Sequence, residues 1–199
     1  MQIKTFIFGL FQTNTYVVSD QEGHVLIIDP ACSCQAEQQM LYEAVTTRPV
    51  GIVATHGHLD HLWGAAWAAE QWGLPVLVPE ADIPMAKAMQ QQYDLFDLPL
   101  KAKPFPMEAL TAQSEVLTTF GLQLIATPGH TPGSVCLYQE KEKVLFSGDT
   151  LFRYGYGRTD LPGGDMRQLL DSLKRLMALP KETEIYAGHG VTGRIGECF

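Results

Sequence analysis

The order of apolar segments predicts an α/β (α+β) fold in four layers, an αββα sandwich in which two sheets face each other and helices cover their outer faces. Three observations carry this expectation. Short apolar, β-branched or aromatic runs fall into two groups, at residues 2 to 29 and 121 to 147. Helical periodicity appears between and after them, near 35 to 47, 62 to 72, 80 to 92 and 166 to 178. The strict strand-helix alternation and Gly-rich phosphate loop of a doubly wound parallel sheet are missing, so stacked layers are the better way to bury these faces. With 199 residues and 46% hydrophobic content one core suffices, and a single domain over 1-199 is expected.

Each element has its own justification. The opening MQIKTFIFGLF holds an apolar run too short for a signal-peptide core and without a small-residue cleavage site behind it, so 2 to 8 reads as a first strand. Runs at 14 to 19 and 24 to 29 follow, separated by Gly, Asn and Asp. VGIVA, ending at residue 54, reads as a buried strand, and LWGAAWAAEQW after residue 61 as a helix. Residues 93 to 114 are interrupted by Pro and Asp without a clear period, which suggests a long functional loop or lid. The second group comprises GLQLIA (121 to 126), SVCLYQ (134 to 139) and KVLFS (143 to 147); the short run TEIY comes later. No repeat recurs at a fixed period, and the 18 glycines and 12 prolines sit in short turn-like clusters, as many short elements require.

Composition excludes several classes of partner. A net charge of -8 opposes nucleic acid, because neutralising phosphates takes clustered Lys and Arg. No segment approaches the roughly 18 apolar residues of a membrane helix, and a cytoplasmic protein without a membrane partner is expected. The four cysteines form no paired CxxC pattern and would remain thiols in a reducing compartment. Cys136, in the alternation SVCLY, reads as a small core side chain. Oligomeric state leaves no signature in the sequence.

The chemistry is concentrated in histidines. THGHLDH, residues 55 to 61, holds three of the six. Imidazole nitrogens and carboxylate oxygens are the donors of zinc-type sites, and catalytic sites keep one position open for water. His56 and His58, two apart on extended backbone, can project toward one point, with Gly57 letting the chain turn between them. Further donors follow predicted strands in Gly or Pro turns: His130 in TPGHTPGS, Asp149 in FSGDT and His189 in YAGHG. Alone, His130 would be an ordinary loop residue and Asp149 a turn or cap aspartate. Taken together, five of six histidines lie in strand-end Gly loops, and loops at one sheet edge can converge on a metal. His24, alone before a strand, reads as a surface residue.

The form HxHxDH, followed in order by His130, Asp149 and His189, closely resembles the metallo-β-lactamase fold superfamily over nearly the whole chain. The resemblance implies an αββα sandwich with two divalent metal ions, zinc first and iron or manganese as alternatives. His56, His58 and His130 would hold one ion, Asp60, His61 and His189 the other, and Asp149 would bridge them. Flavodiiron members carry Glu at the position of His58, and many true β-lactamases lack a bridging Asp; RNA-processing members need basic exosites and extra domains. TPGHTPGS, GDTLF and the ending GHGVTGRIGE are instead similar to short glyoxalase II-like hydrolases, the hydroxyacylglutathione hydrolase-like branch. Ten residues follow His189, short of the helical domain by which full-length glyoxalase II grips glutathione.

What the resemblance implies is hydrolysis of a small-molecule thioester such as S-lactoylglutathione by a metal-bound hydroxide, with Asp60 and Asp149 as catalytic residues. Metal coordination lowers the pKa of water toward about 7, so no strong base is needed. Arg158 occupies the place of a cationic glutathione-contacting residue, although Asp160 stands where an aromatic partner is expected. Tyr154 and Tyr156 are further candidates for substrate contact. GYGRTDLPGGD, residues 155 to 165, is equally similar to persulfide dioxygenases, whose single iron would sit on His56, His130 and Asp149. A lactonase and a noncatalytic metal-binding interaction module complete the alternatives.

Overall fold

Strand β1 (Gln2–Phe8) turns back on β2 (Thr13–Ser19), which pairs antiparallel with β3 (Val25–Ile28). From there the chain alternates helix and strand: α1 (Gln35–Ala44), β4 (Gly51–Val53), α2 (Ala65–Trp72) and β5 (Val76–Pro79). A 3-10 turn at Glu80–Asp82 leads into α3 (Ile83–Lys87), α4 (Met89–Leu95) and β6 (Met107–Leu110). The six strands form one sheet in sequence order, with β3 to β6 parallel. The structure, a computed structural model, describes residues 1–198 and divides into two units, Met1–Leu110 and Thr111–Phe199.

In the first unit the residues that helix α2 buries against the sheet are small. Ala65, Ala68 and Ala69, spaced three and four apart on one helical face, pack with Ile27, Ile52, Val76 and Val78 of β3, β4 and β5. Ala86, Met89 and Tyr93 of α3 and α4 join the same core, while Leu41 and Ala44 of α1 pack with Phe8, Val17 and Val25.

The second unit comprises α5 (Glu115–Phe120), β7 (Leu122–Ala126), β8 (Val135–Gln139), β9 (Val144–Gly148), the hairpin β10 (Leu151–Phe152) and β11 (Gly155–Tyr156), α6 (Met166–Met177), β12 (Glu184–Ala187), β13 (Gly193–Arg194) and α7 (Ile195–Cys198). Its five-stranded sheet runs β13-β12-β9-β8-β7. Leu169, Leu173 and Leu176 of the amphipathic α6 pack with Cys136, Tyr138, Leu145 and Ile185 of the sheet, so Cys136 is the core residue its alternation predicts.

Topology decides where loops emerge. In the first unit β3 and β4 run parallel and β2 runs against them, so the end of β3, the end of β4 and the start of β2 share one edge. In the second, β9 and β12 are parallel, and β7 is antiparallel to β8, which is antiparallel to β9. The C-terminal ends of β7, β9 and β12 therefore also share one edge. Open sheets commonly bind ligands outside such strand ends.

Two expectations are corrected. The periodic segment 80 to 92 is not one helix: it is a 3-10 turn followed by α3 and α4, which break at Ala88 (φ -87°, ψ 26°). The segment 93 to 114 is not all loop, because α4 continues to Leu95 and Met107–Leu110 forms β6 alongside β5. A half-exposed four-residue strand behind two prolines is too short for its alternation to register in the sequence.

Candidate metal centre

In the first unit the ligand loop hangs from Asp29, a carboxylate only 1% exposed at the end of β3. Its backbone is in the left-handed region, φ 53°, which Asp tolerates better than most residues. Its N–H donates to the Val53 carbonyl (2.8 Å), and its own carbonyl accepts from Thr15 Oγ1 (2.6 Å). The side chain then holds the loop: Oδ1 accepts from the Thr55 amide (2.7 Å), while Oδ2 accepts from Thr55 Oγ1 (2.8 Å) and His61 Nδ1 (2.9 Å). Since the Thr55 hydroxyl gives its proton to Asp29, its oxygen accepts from His56 Nδ1 at 3.1 Å. Both imidazoles are thereby oriented by one carboxylate, and both are fully buried.

The backbone between them is clamped from the helical segment. Asp82 Oδ2 accepts from the Gly57 amide (2.8 Å). Gln92 of α4 donates to the Gly57 and Met85 carbonyls (3.0 Å each) and accepts from the Leu59 amide (2.9 Å). A Cβ on Gly57 would lie 2.9 Å from the Asp82 carbonyl oxygen, so glycine is required by close approach. Asp60 Oδ2 accepts from Thr13 Oγ1 at the start of β2 (2.7 Å) and lies 3.5 Å from His61 Nε2. The rings of His56 and His58 meet edge to face with centroids 4.9 Å apart. Donor atoms of His56 and His58, and likewise those of Asp60 and His61, lie within 4.8 Å.

In the second unit the three strand ends supply the other candidates. His130 follows β7, Asp149 follows β9 and His189 follows β12. His130 Nδ1 donates to the Arg158 carbonyl at 2.7 Å. Asp149 Oδ2 stands 3.5 Å from His130 Nε2 and 3.4 Å from His189 Nε2. Gly157 passes so close that a Cβ there would sit 1.9 Å from the Asp149 carbonyl oxygen and 3.0 Å from His130 Nδ1. The β10–β11 hairpin thus brings the Arg158 carbonyl to His130 only because residue 157 has no side chain.

These hydrogen bonds fix the tautomers. A backbone carbonyl or a carboxylate only accepts, and so does the Thr55 oxygen once its proton is given away. His56, His61 and His130 therefore carry a proton on Nδ1, and in the neutral imidazole the lone pair that a metal takes is on Nε2. The lone pairs of His61 and His130 face carboxylate oxygens at 3.5 Å, donor against donor. Two ligands on a tetrahedral cation at about 2.0–2.1 Å stand about 3.3 Å apart, so the spacings of 3.4 and 3.5 Å fit a metal held between them. Carboxylates and carbonyls behind metal-binding imidazoles are the usual orienting arrangement.

Comparison with known proteins agrees with this chemistry. The family model described as the metallo-beta-lactamase superfamily matches residues 8–189. The chain belongs to that superfamily. The hydroxyacylglutathione hydrolase GloC of Haemophilus influenzae is 32% identical, the match covering 99% of this chain and 94% of that one. Among solved structures, TTHA1623 in a di-iron-bound form aligns with a TM-score of 0.86 at 34% identity, over 98% of this chain and 96% of the other. The BLEG-1 B3 metallo-beta-lactamase aligns equally well, 0.86 at 33%, over 98% and 95%. The mixed α/β fold with its several sheets is that of the superfamily, and the His and Asp constellation is metal-binding in kind.

The expected substrate residues are placed differently from the ligands. The Arg158 guanidinium is engaged by Asp160 through two parallel hydrogen bonds of 2.6 Å, Nε to Oδ1 and Nη2 to Oδ2. That bond holds the Asp160 carboxyl down to about 2. Tyr154 is 82% exposed with the Arg153 guanidinium 5.2 Å above its ring, and Tyr156 lines a groove with Leu170, Leu173 and Met177 of α6. Sequence reading missed Asp29, Thr55, Asp82 and Gln92. For Asp29 a signal existed: a carboxylate directly after the run VLII sits where a charge is rarely buried.

Proposed function

We propose that the chain is a metal-dependent hydrolase of a small-molecule thioester of the S-lactoylglutathione class. His56, His58 and His130 would hold one divalent ion, and Asp60, His61 and His189 the second, with Asp149 shared between them. Zinc, iron and manganese all suit such a donor set. When bound, the ions supply water ionised near neutral pH and an electrophile for the substrate carbonyl. The observation that carries the reading is the pair of approaches to Asp149, which places one carboxylate oxygen within 3.5 Å of two imidazole Nε2 atoms. The name of the Haemophilus relative supports the thioester.

The protein's own groups divide the remaining work. Asp60, whose Oδ2 is anchored by Thr13, orients the attacking water. Asp149 sets the ligand spacing. A thiolate leaves with little protonation because thiols ionise near pH 8.5, so a dedicated general acid is not required. Arg158 uses two of its five N–H donors on Asp160, which leaves three for a substrate carboxylate. Tyr154 and Tyr156 border the substrate from the same hairpin. A small-molecule partner agrees with the net charge of -8, which opposes polyanions, and no helix among the described residues is long and apolar enough to cross a membrane.

Elemental analysis of protein purified without added metal, coupled to turnover of S-lactoylglutathione, tests the proposal. Two metals per chain and thioester cleavage that is lost in Asp149→Ala are expected. A metal-loaded protein that leaves the thioester intact while cleaving a lactone or a cephalosporin, or that consumes oxygen with a persulfide, would overturn it.

A further inference from the structure

Apart from the ligand candidates, the first unit contains a cavity of about 270 Å³ between α2, α4 and the extended segment from Leu100 to Phe105. None of residues 55 to 61 lines it, although Leu62 and Trp63 directly after them do, and no ligand candidate contributes. Its walls are aromatic: Trp63, Trp67, Tyr93 and Phe105. The rings of Trp63 and Tyr93 lie 6.0 Å apart at 41°, forming a corner rather than a filled stack.

Two lysines, two indoles and a tyrosine hydroxyl supply donors at this cavity, with Ser33, Gln38 and Glu70 as the other polar side chains on its lining. Lys101 and Lys103 line it, and neither makes an ion pair or hydrogen bond with any described residue. They are two of the five Lys and Arg residues in the first 110 positions, which carry twelve Asp and Glu. Their placement is fixed by backbone bonds: Gln90 of α4 accepts from the Ala102 amide (3.0 Å) and donates to the Leu100 carbonyl (3.2 Å). Ala102 turns inward onto the core, so on extended backbone residues 101 and 103 share the opposite side. Tyr93 is only 6% exposed, and its hydroxyl has no hydrogen-bond partner among the described residues. The indole N–H groups of Trp63 and Trp67 likewise have none. Glu70 is the one carboxylate on the lining, which leaves the two lysines with a net charge of +1.

We propose that this cavity binds a small aromatic monoanion, its ring system against the corner formed by Trp63 and Tyr93 and its carboxylate toward Lys101 and Lys103. The volume is slightly below the roughly 300 Å³ at which sites for drug-sized ligands begin, which favours a one- or two-ring acid. A single negative charge matches the single excess positive one. Aromatic faces stabilise a flat ring, and unmatched hydroxyl and indole donors reward an acceptor where an apolar guest would leave them unsatisfied.

The test uses 2-naphthoate and the metal-loaded protein, with the indole N–H resonances of Trp63 and Trp67 followed by NMR and affinity by calorimetry. Saturable shifts at both tryptophans are expected. The Lys101→Ala/Lys103→Ala double variant should bind about tenfold more weakly, and the uncharged 2-methoxynaphthalene should be weaker than 2-naphthoate by a similar factor. Thioester turnover serves as a folding control and should be the same in parent and double variant. Absence of saturable shifts would overturn the proposal. So would undiminished 2-naphthoate affinity in the double variant, which would place the carboxylate on another cation, including a bound metal, or equal affinity for the neutral compound.

Discussion

Replacing Asp29 by Asn isolates what one buried carboxylate does for the metal ligands. Asn tolerates the left-handed φ of 53° as well as Asp does, and its shape is the same, so neither backbone nor packing is disturbed. What changes is one acceptor. With the amide oxygen on the Thr55 N–H, the NH2 group occupies the place of Oδ2, facing Thr55 Oγ1 and His61 Nδ1, both of which now donate. The Thr55 hydroxyl can rotate. The imidazole can answer only by moving its proton to Nε2, the atom 3.5 Å from Asp60, and a protonated nitrogen cannot ligate. Restoring the ligating tautomer leaves a buried donor opposed by a donor, at about 1–3 kcal/mol. That corresponds to roughly a 5- to 150-fold loss in metal affinity at 1.4 kcal/mol per tenfold, in line with the 10–100-fold typical of groups behind metal ligands. Competition with a chelator of known affinity measures it, and a thermal melt of the metal-free protein shows that the variant is folded. A folded Asp29→Asn protein that binds metal as tightly as the parent would refute the tautomer argument.

Other outcomes follow from the same geometry. Gln92→Leu strands the Leu59 amide and removes the donor to the Gly57 carbonyl, so the metal-free protein should lose about 1–3 kcal/mol in a urea titration; an unchanged midpoint would deny the clamp. Burial pushes the Cys32 thiol up to about 12 and Cys136 up to about 11, so at pH 8 a thiol reagent should label the exposed Cys34 first and reach those two only on unfolding, as mass spectrometry would show. The Arg158 hydrogen bonds hold the folded Asp160 carboxyl down at about 2, below its ordinary value near 3.9. Because the folded value is depressed, the pair's contribution is complete above about pH 4 and is lost as pH falls toward 2. An NMR titration should therefore find Asp160 ionised at pH 3, and Arg158→Ala should return its midpoint to the ordinary range.

How much of this was legible beforehand depended on whether the cause was local. THGHLDH is a dense cluster of donor types, and His130, Asp149 and His189 stand out because each follows an apolar run and sits among glycines. Strands β1, β2, β3, β7, β8 and β9 were visible from alternation or from β-branched runs within a residue or so of their observed ends. The break at Ala88 was invisible, since no Gly or Pro marks it and the apolar period continues through it. So was β6, whose four residues gain their order from pairing with β5 rather than from their own pattern.

The supporting residues are harder still, because their roles are set by what lies far along the chain. Gln92 has no reason in its local sequence, MQQQYDL, to differ from Gln90 or Gln91; only the fold brings its amide to Gly57, 35 positions earlier, while Gln90 turns to the segment after Leu98. Asp29 and Thr55 meet because β3 and β4 are parallel neighbours in register, Ile28 beside Val53. A strand shifted by one residue would turn Asp29 to the opposite face, taking its carboxylate away from Thr55 and His61 together. Sheet register thus sets histidine tautomer: the pairing of two four- and three-residue strands decides which nitrogen of His61 carries the proton, and through it whether the loop can ligate at all.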